Sequence, residues 1–446
     1  MRIVIAGAGE VGSHLAKMLS DEDRDIIVID NDEKKLFALD SYNLKTCLGE
    51  CTSFKTLQNN GVSNCGLFIA VTPYETRNIL ACSIAKSMGA EKTVARIDNY
   101  EFLRPEYSGF FKGMGVDTLI YPELFAAEEI ATALKHNWVR NWFELFDGQL
   151  IVAAVKLRGT SPMVGKRLRE IGGSNTFIHL NAIRRNGEIL IPRGDDIVMD
   201  NDVAYITTTR DHLDQVVELC GKRKVQVKKM LIMGGSAIAV QVAKELEKYD
   251  VKVKIVEPDE DRCAYLVDVL PHCKIVHGDA TDSDIMEEEA GGIDAFAALS
   301  DRSETNILSC LMSKEYGVCK TIAEVENIQF VHEAERLNIG TIINKKLLAS
   351  SRIFQMLLDS EEDNARCLAL ADAEVAEVVI KEGSKLCSKD IKDFDIPSEI
   401  TLAGLVRDGV GMLVKGNTRL QPGDHVVVFC MHGSFHKVEK FFKKLI

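Results

Sequence analysis

Long apolar runs are missing from this chain. Nowhere does the sequence approach the roughly 20 consecutive apolar residues that a bilayer-spanning helix needs, so any membrane role must come through a partner. Proline is scarce, with 9 in 446 residues, and a composition of 46% hydrophobic and 27% charged residues leaves no place for a large disordered region. A basic surplus is missing too. With 54 Lys and Arg against 67 Asp and Glu the net charge is -13, which repels phosphate backbones and anionic lipid and argues against nucleic acid as a partner. The 12 cysteines are scattered from Cys47 to Cys430 without a C-x-x-C pair or a Cys/His cluster at zinc spacing, so no metal site is expected. Cys47 and Cys51, the closest pair, read as free thiols. That pattern, with Met1 leading straight into RIVIAG, predicts a reduced, cytosolic setting and no signal peptide. A G-x-x-x-x-G-K-[ST] loop is also absent, which excludes a P-loop NTPase on motif grounds.

What is present is a repeat. The stretch IVIAGAGEVGSHLAKMLSDEDRDIIVID aligns with LIMGGSAIAVQVAKELEKYDVKVKIVE, placing Gly7 over Gly234, Ala16 and Lys17 over Ala243 and Lys244, and Asp30 over Glu257. Further on, TPYETRNILACSIAK lies over SDRSETNILSCLMSK, with Asn78 on Asn306, and VARIDNYEF lies over IAEVENIQF. In each copy apolar β-branched runs (RIVIAG, DIIVID, LKTCL, GLFIAV, KTVARI in the first) alternate with amphipathic helical segments, the rhythm of a parallel sheet covered on both faces. A second pair of repeats follows: Leu150 to Thr209 and Glu374 to Cys430 carry short alternating strands around a Gly/Asp turn, each with a helix after it (HLDQVVELCG and SFHKVEKFFKKLI).

The expected fold class is therefore α/β: two Rossmann-like, doubly wound parallel-sheet domains, each followed by a small α+β domain, produced by tandem duplication. The expected boundaries are 1–122, 140–222, 228–347 and 368–446. Two helical segments, YPELFAAEEIATALKHN and INKKLLASSRIFQMLLD, link large to small, each apolar on one face. Such a helix either packs on its own domain or crosses to a neighbouring subunit, and periodicity leaves both open.

Gly7-x-Gly9-x-x-Gly12 opens a helix directly after a strand, and Asp30 ends the next strand. Gly7 permits the tight turn, Gly9 lets backbone approach a pyrophosphate, and Gly12 allows close helix–strand packing, while the helix amino terminus offers N–H groups and a positive dipole end. Asp30 suits a ribose diol and repels a 2′-phosphate, favouring NAD over NADP; its alternative role is a helix cap. Open parallel sheets bind ligands at the carboxyl ends of their strands, which points to Glu50, Thr72, Pro73 and Arg96 as further contacts, Arg96 facing phosphate or else forming a surface ion pair. In the second copy Ser236 replaces Gly9 and Ala239 replaces Gly12, although Glu257 and the GDAT stretch containing Asp279 persist, so weaker or altered binding is expected there.

A dehydrogenase needs a proton donor or nucleophile near the nicotinamide. The 10 histidines are dispersed; His179 and His212 lack an acid at a recurrent offset, and His14 reads as a helix-surface residue. Two cofactor folds without a substrate domain read as a sensor, not an enzyme, with an NAD-dependent oxidoreductase as the alternative and a stand-alone nucleotide buffer as a third reading.

The module order, GAGEVG with VID, TPYETRN and SDRSETN, and small domains ending in DDIVMDNDVAYI and TRLQPGDHVVVF together resemble the RCK (KTN) family of NAD-binding regulatory subunits of bacterial Trk potassium uptake systems. The resemblance covers essentially the whole chain. It implies a homotetramer whose nucleotide domains form a gating ring, cytoplasmic and peripheral on the inner membrane through a potassium-translocating partner (TrkH/TrkG-like), with NAD/NADH and also ATP/ADP as ligands. It implies nucleotide contacts at Gly7, Ala8, Gly9, Glu10, Val11, Gly12, Asp30, Glu50, Thr72, Pro73 and Arg96, and in the second copy at Gly234, Gly235, Ser236, Ala237, Ile238, Glu257 and Asp279. Glu50, where many relatives carry Asp or another small polar residue, and the Ser236/Ala239 turn depart from the family pattern.

Overall fold

A computed structural model describes residues 1–20, 24–174, 177–327, 330, 331, 333, 334, 337, 339–358, 365–369, 373–431, 438 and 441. The first large domain is a six-stranded sheet of β1 (Arg2–Ala6), β2 (Asp25–Asp30), β3 (Lys45–Leu48), β4 (Leu67–Ala70), β5 (Lys92–Arg96) and β6 (Thr118–Ile120). All pairings are parallel and the order is β3-β2-β1-β4-β5-β6, the doubly wound arrangement whose crossover lies between β1 and β4. Its central strands are buried along almost their whole length because helices cover both faces, which is why they read as continuous apolar runs without alternation.

An antiparallel sheet follows, made of β7 (Asn141–Leu145), β8 (Leu150–Lys156), β9 (His179–Arg185), β10 (Glu188–Leu190) and β11 (Val203–Thr208), in the order β10-β9-β11-β8-β7. The second large sheet, β12 (Lys229–Met233), β13 (Lys252–Glu257), β14 (Lys274–His277), β15 (Ala295–Ala298), β16 (Lys320–Glu324) and β17 (Thr341–Ile343), repeats the first strand for strand. The last sheet, β18 (Ala365–Ala369), β19 (Ala373–Val379), β20 (Ile400–Arg407), β21 (Val410–Leu413) and β22 (His425–Met431), has the topology of the first small one. In both small sheets a buried Asp takes a two-pronged guanidinium, Asp202 from Arg185 and Asp424 from Arg407, and this pairing gives the Gly/Asp turn of the repeat its structural role.

Three features depart from the sequence reading or extend it. The edge strands β6 and β17 were not anticipated, since three residues are too few to show a pattern. Of the two helices expected to close the small domains, the first forms over Leu213–Leu219, while the segment SFHKVEKFFKKLI lies outside the described residues except for 438 and 441. The linking helices resolve the open alternative in a third way: each crosses to the other copy within the same chain. Helix Pro122–Lys135 buries Ala126, Ala127, Ile130 and Leu134 against Ile238, Ala239 and Val242 of the second copy. Helix Lys345–Leu358 buries Ala349, Ile353, Phe354 and Leu357 against Val11, Leu15 and Leu19 of the first. Neither nucleotide fold therefore completes its own core, and the apolar burial that joins them makes the tandem pair one packing unit.

The small sheets also meet face to face, with Leu150, Val152 and Tyr205 packed against Val427 and Phe429. His179 lies in that seam, its ring nitrogens 3.3 Å from the Val414 carbonyl oxygen and 3.1 Å from Thr401 Oγ1, and burial pushes its pKa down. Its place between the sheets accounts for a histidine with no acid partner.

Candidate nucleotide sites

The first glycine turn joins β1 to helix Glu10–Ser20. Gly7 adopts φ +110 and donates its N–H to the Ile29 carbonyl at 2.8 Å; a Cβ there would stand 3.1 Å from the backbone of Val71 and Thr72. A Cβ on Gly12 would stand 1.9 Å from the Gly7 carbonyl oxygen, so only hydrogen lets the helix lie this close to the strand. Gly9 differs from both, because nothing lies within 4 Å of its missing Cβ. That open space sits at the amino end of an 11-residue helix, where backbone N–H groups and the dipole can meet an anion.

Asp30 ends β2 and faces the turn. Its Oδ2 accepts the Ala8 N–H at 2.6 Å and its Oδ1 accepts the Asp32 N–H at 2.9 Å. It is not the cap of the next helix: Asp32 fills that position and accepts from Lys34 N–H at 3.0 Å. Glu10 and Val11 begin the helix, Glu10 exposed and Val11 buried. Along the same sheet edge, exposed Glu50 accepts from Asn31 Nδ2 at 2.9 Å and lies 3.8 Å from an Arg77 nitrogen. Thr72 is buried, Pro73 beside it is exposed, and Arg96 pairs with Asp98 at 2.7 Å while its Nε lacks a hydrogen-bond partner among the described residues. The sequence-derived residues thus gather at one edge, the carboxyl ends of β1 to β5.

The second turn copies the brace and changes the seat. Gly234 adopts φ +92, and Glu257 accepts the Gly235 N–H at 2.6 Å and the Asp259 N–H at 3.0 Å, as Asp30 does in the first copy. Ser236, however, caps helix Ala237–Glu247 by accepting the Ala239 N–H at 3.3 Å. Ala237 is exposed and Ile238 buried, so the two begin the helix as Glu10 and Val11 do. Asp279 accepts the backbone and hydroxyl of Thr281 at 2.8 and 2.7 Å, and those bonds hold its carboxyl below the usual range.

Two groups of residues escaped the sequence reading. Fully buried Asn78 accepts from the Thr72 N–H and hydroxyl at 2.9 and 2.6 Å and donates to the Thr72 and Arg96 carbonyls, both at 2.9 Å. It latches the end of β4 to the end of β5. Asn306 does the same between Ser300 and Glu324. The match of Asn78 to Asn306 in the repeat was the available signal, since a buried amide kept in both copies has a backbone to satisfy. The second group is Lys345 and Lys346 on the crossing helix. Lys346 Nζ lies 2.7 Å from Glu10 and 2.9 Å from Glu326, and Ser350 Oγ donates to the Val11 carbonyl at 3.1 Å. No local pattern could have brought these to the first turn.

Among the described residues no group of three or more His, Cys, Asp or Glu is placed to hold a metal, and no helix is long and apolar enough to cross a membrane. Two doubly wound sheets with acid-braced glycine turns, each trailed by a small antiparallel sheet, define a tandem Rossmann-fold protein. The TrkA-N domain model matches residues 3–122 and 230–345 and the TrkA-C domain model residues 152–221 and 375–443, so the chain belongs to the TrkA family. It is 30% identical over 448 residues to the Trk system potassium uptake protein TrkA homolog of Archaeoglobus fulgidus, covering 99% of this chain and 100% of that one. It is 27% identical to Trk system potassium uptake protein TrkA of Azorhizobium caulinodans, with 99% of each covered. In fold it is similar to the GsuK channel bound to NAD, with TM-score 0.58 and 14% identity over 100% of this chain and 78% of that one. The same channel bound to ADP gives TM-score 0.50 and 12% identity over 81% and 70%.

Proposed function

We propose that this chain is the cytoplasmic regulatory subunit of a Trk-type potassium uptake system. It binds NAD(H) at the first glycine turn, with ATP or ADP as competing ligands, and gates potassium movement through a membrane potassium-translocating partner without changing the nucleotide. The observation that carries this reading is the first turn itself: an open seat beside Gly9 at a helix amino terminus, with Asp30 already holding the Ala8 N–H. Gly7 through Gly12, Asp30, Glu50, Thr72, Pro73 and Arg96 are the proposed contacts. The relatives, which are potassium uptake proteins, and a structural neighbour, a channel bound to NAD, support the assignment.

Gating follows from the crossing helices. A ligand that closes on the first turn presses on helix Glu10–Ser20, which carries helix Lys345–Leu358 of the second copy through Ser350, Lys346 and the apolar face. In a homotetrameric ring the same displacement repeats at each subunit. A ligand moves such an equilibrium only by its difference in affinity for two ring geometries. Titration calorimetry with NAD, NADH, ATP and ADP, paired with potassium flux in a reconstituted membrane patch, tests the reading. At least one pair of ligands is expected to change open probability in opposite directions; four ligands without effect on an assembled complex would overturn it.

A further inference from the structure

Both repeats contribute side chains to the first glycine turn. Helix Lys345–Leu358 of the second repeat brings two residues, one helical turn apart, to the start of helix Glu10–Ser20: Ser350 Oγ donates to the Val11 carbonyl at 3.1 Å, and Lys346 Nζ lies 2.7 Å from Glu10 Oε2. The Ser13 N–H on the Gly9 carbonyl, at 2.8 Å, opens the hydrogen-bond ladder of that helix, so the N–H groups before it are those that a helix start leaves for an anion. The open space at Gly9 lies at the same end. An ammonium from the other repeat therefore stands at the helix end where the phosphates of a nucleotide would gather.

This lysine can change partners. Its side chain keeps 27% of its surface open to solvent. Of its two carboxylate partners, Glu10 is exposed and can turn to water, and Glu326, at 2.9 Å, has a second cation in Lys345, also at 2.9 Å. Helix Pro122–Lys135, the counterpart in the first repeat, carries Glu123 at the same second position, so the crossing helices do not need a cation there to pack. A phosphate on the turn repels the Glu10 carboxylate and attracts the Lys346 ammonium, and a carboxylate that rotates into solvent leaves the ammonium to the ligand. The gain grows with the charge at the ligand's end: the pyrophosphate of NAD is esterified on both sides, whereas ADP and ATP end on a free phosphate.

Resting on the reading of the first turn as a nucleotide site, we propose that Lys346 belongs to that site: it leaves Glu10 to pair with the terminal phosphate of ADP or ATP, and so sets the preference of the first fold for nucleoside polyphosphates against dinucleotides. The test is titration calorimetry on the full chain with adenosine, NAD, ADP and ATP in magnesium-free buffer, where no metal ion substitutes for the ammonium; Asp30→Ala identifies which part of the heat belongs to the first turn. Lys346→Met should weaken ATP about tenfold, ADP about fivefold and NAD less than about threefold, with adenosine unchanged. Lys346→Arg, which keeps the charge, should hold ATP within about threefold of the unsubstituted chain. Glu10→Gln, at an exposed position, should tighten ATP about threefold and keeps the test available if Lys346→Met does not fold. A lysine that only packed the seam would move all four ligands together. Equal shifts for the four, no shift for any, or a larger loss for NAD than for ATP overturns this proposal alone. Failure of all four to bind the unsubstituted chain overturns it together with the nucleotide reading on which it rests.

Discussion

The Asp30 carboxylate accepts the Ala8 N–H at 2.6 Å, so the acid that ends β2 holds the turn in place before any ligand arrives. Asp30→Ala is therefore expected to act twice. It removes a charge-assisted bond within the protein and a partner for a ribose diol, each on the scale of about 1–3 kcal/mol. Denaturant melts without ligand should show the first loss and calorimetry with NAD the second. An unchanged ligand-free stability would mean that the brace contributes nothing.

Gly9 and Gly12 should respond in opposite ways to a single added group. Gly9→Ser enters empty space, so the fold is expected to keep its stability or gain a few tenths of a kcal/mol from a cap like that of Ser236, while first-site dinucleotide affinity falls. Gly12→Ala places a methyl 1.9 Å from the Gly7 oxygen and should cost more than about 2 kcal/mol. Melting and titration of the two variants separate a seat from a packing contact. Equal affinity in Gly9→Ser would show that Ser236 does not account for altered binding in the second copy.

Asn78→Ala should destabilise by about 2–4 kcal/mol, because it strands the Thr72 N–H and two carbonyls inside the first fold. Asn306→Ala should cost a similar amount in the second fold. Hydrogen exchange at Thr72 and Ser300 reads each latch separately. Loss of protection at both amides in either single variant would argue against independent latches.

The sheets were legible because buried parallel strands write themselves as apolar β-branched runs, and because the chain states its module twice. Gly7, Gly9, Gly12 and Asp30 were legible because backbone geometry restricts which residues can stand there. The crossing of the linking helices was not, since one apolar face fits a home sheet and a foreign one equally well. For the same reason Lys346 at the first turn was invisible: its partner there, Glu10, belongs to the other repeat. Glu324 illustrates a further limit. The repeat set it opposite Arg96, yet only the tertiary seam surrounds it with Glu123, Glu326 and Lys345.

That seam has a pH signature. Burial drives the Glu324 carboxyl up from 4.5 to about 7, with Lys345 opposing and Glu326 and Glu123 adding to the rise. The native state thus holds a proton that the unfolded chain has already released. This contribution to stability is fully present below about 4.5 and is lost as pH rises toward 7, on the order of 1–3 kcal/mol. Glu324→Gln should flatten that part of the stability profile while leaving the rest of the curve in place. A profile with the same slope in the variant would assign the titration to another group.

The crossing helices predict a mutation whose damage appears in the other copy. Ile130 belongs to the first repeat by sequence, is fully buried, and packs with Ile238, Ala239 and Val242 on the second nucleotide fold. Ile130→Ala should cost about 2–5 kcal/mol, as truncating a buried aliphatic side chain does when neighbours cannot collapse into the space. The location of the loss is the informative quantity. Native-state hydrogen exchange should weaken first in β12 and β13, whose inward residues Met230, Ile232, Val253 and Ile255 share that core, and β1 and β2 should keep their protection. Ile353→Ala, on the reciprocal helix, should reverse the pattern, because Ile353 packs with Ile3, Ile5, Ile26 and Val28 of the first fold. If each substitution instead loosened the fold of its own repeat, the crossing would carry no cooperativity between the halves, and a path from the first turn to the second fold through these helices would have no energetic support.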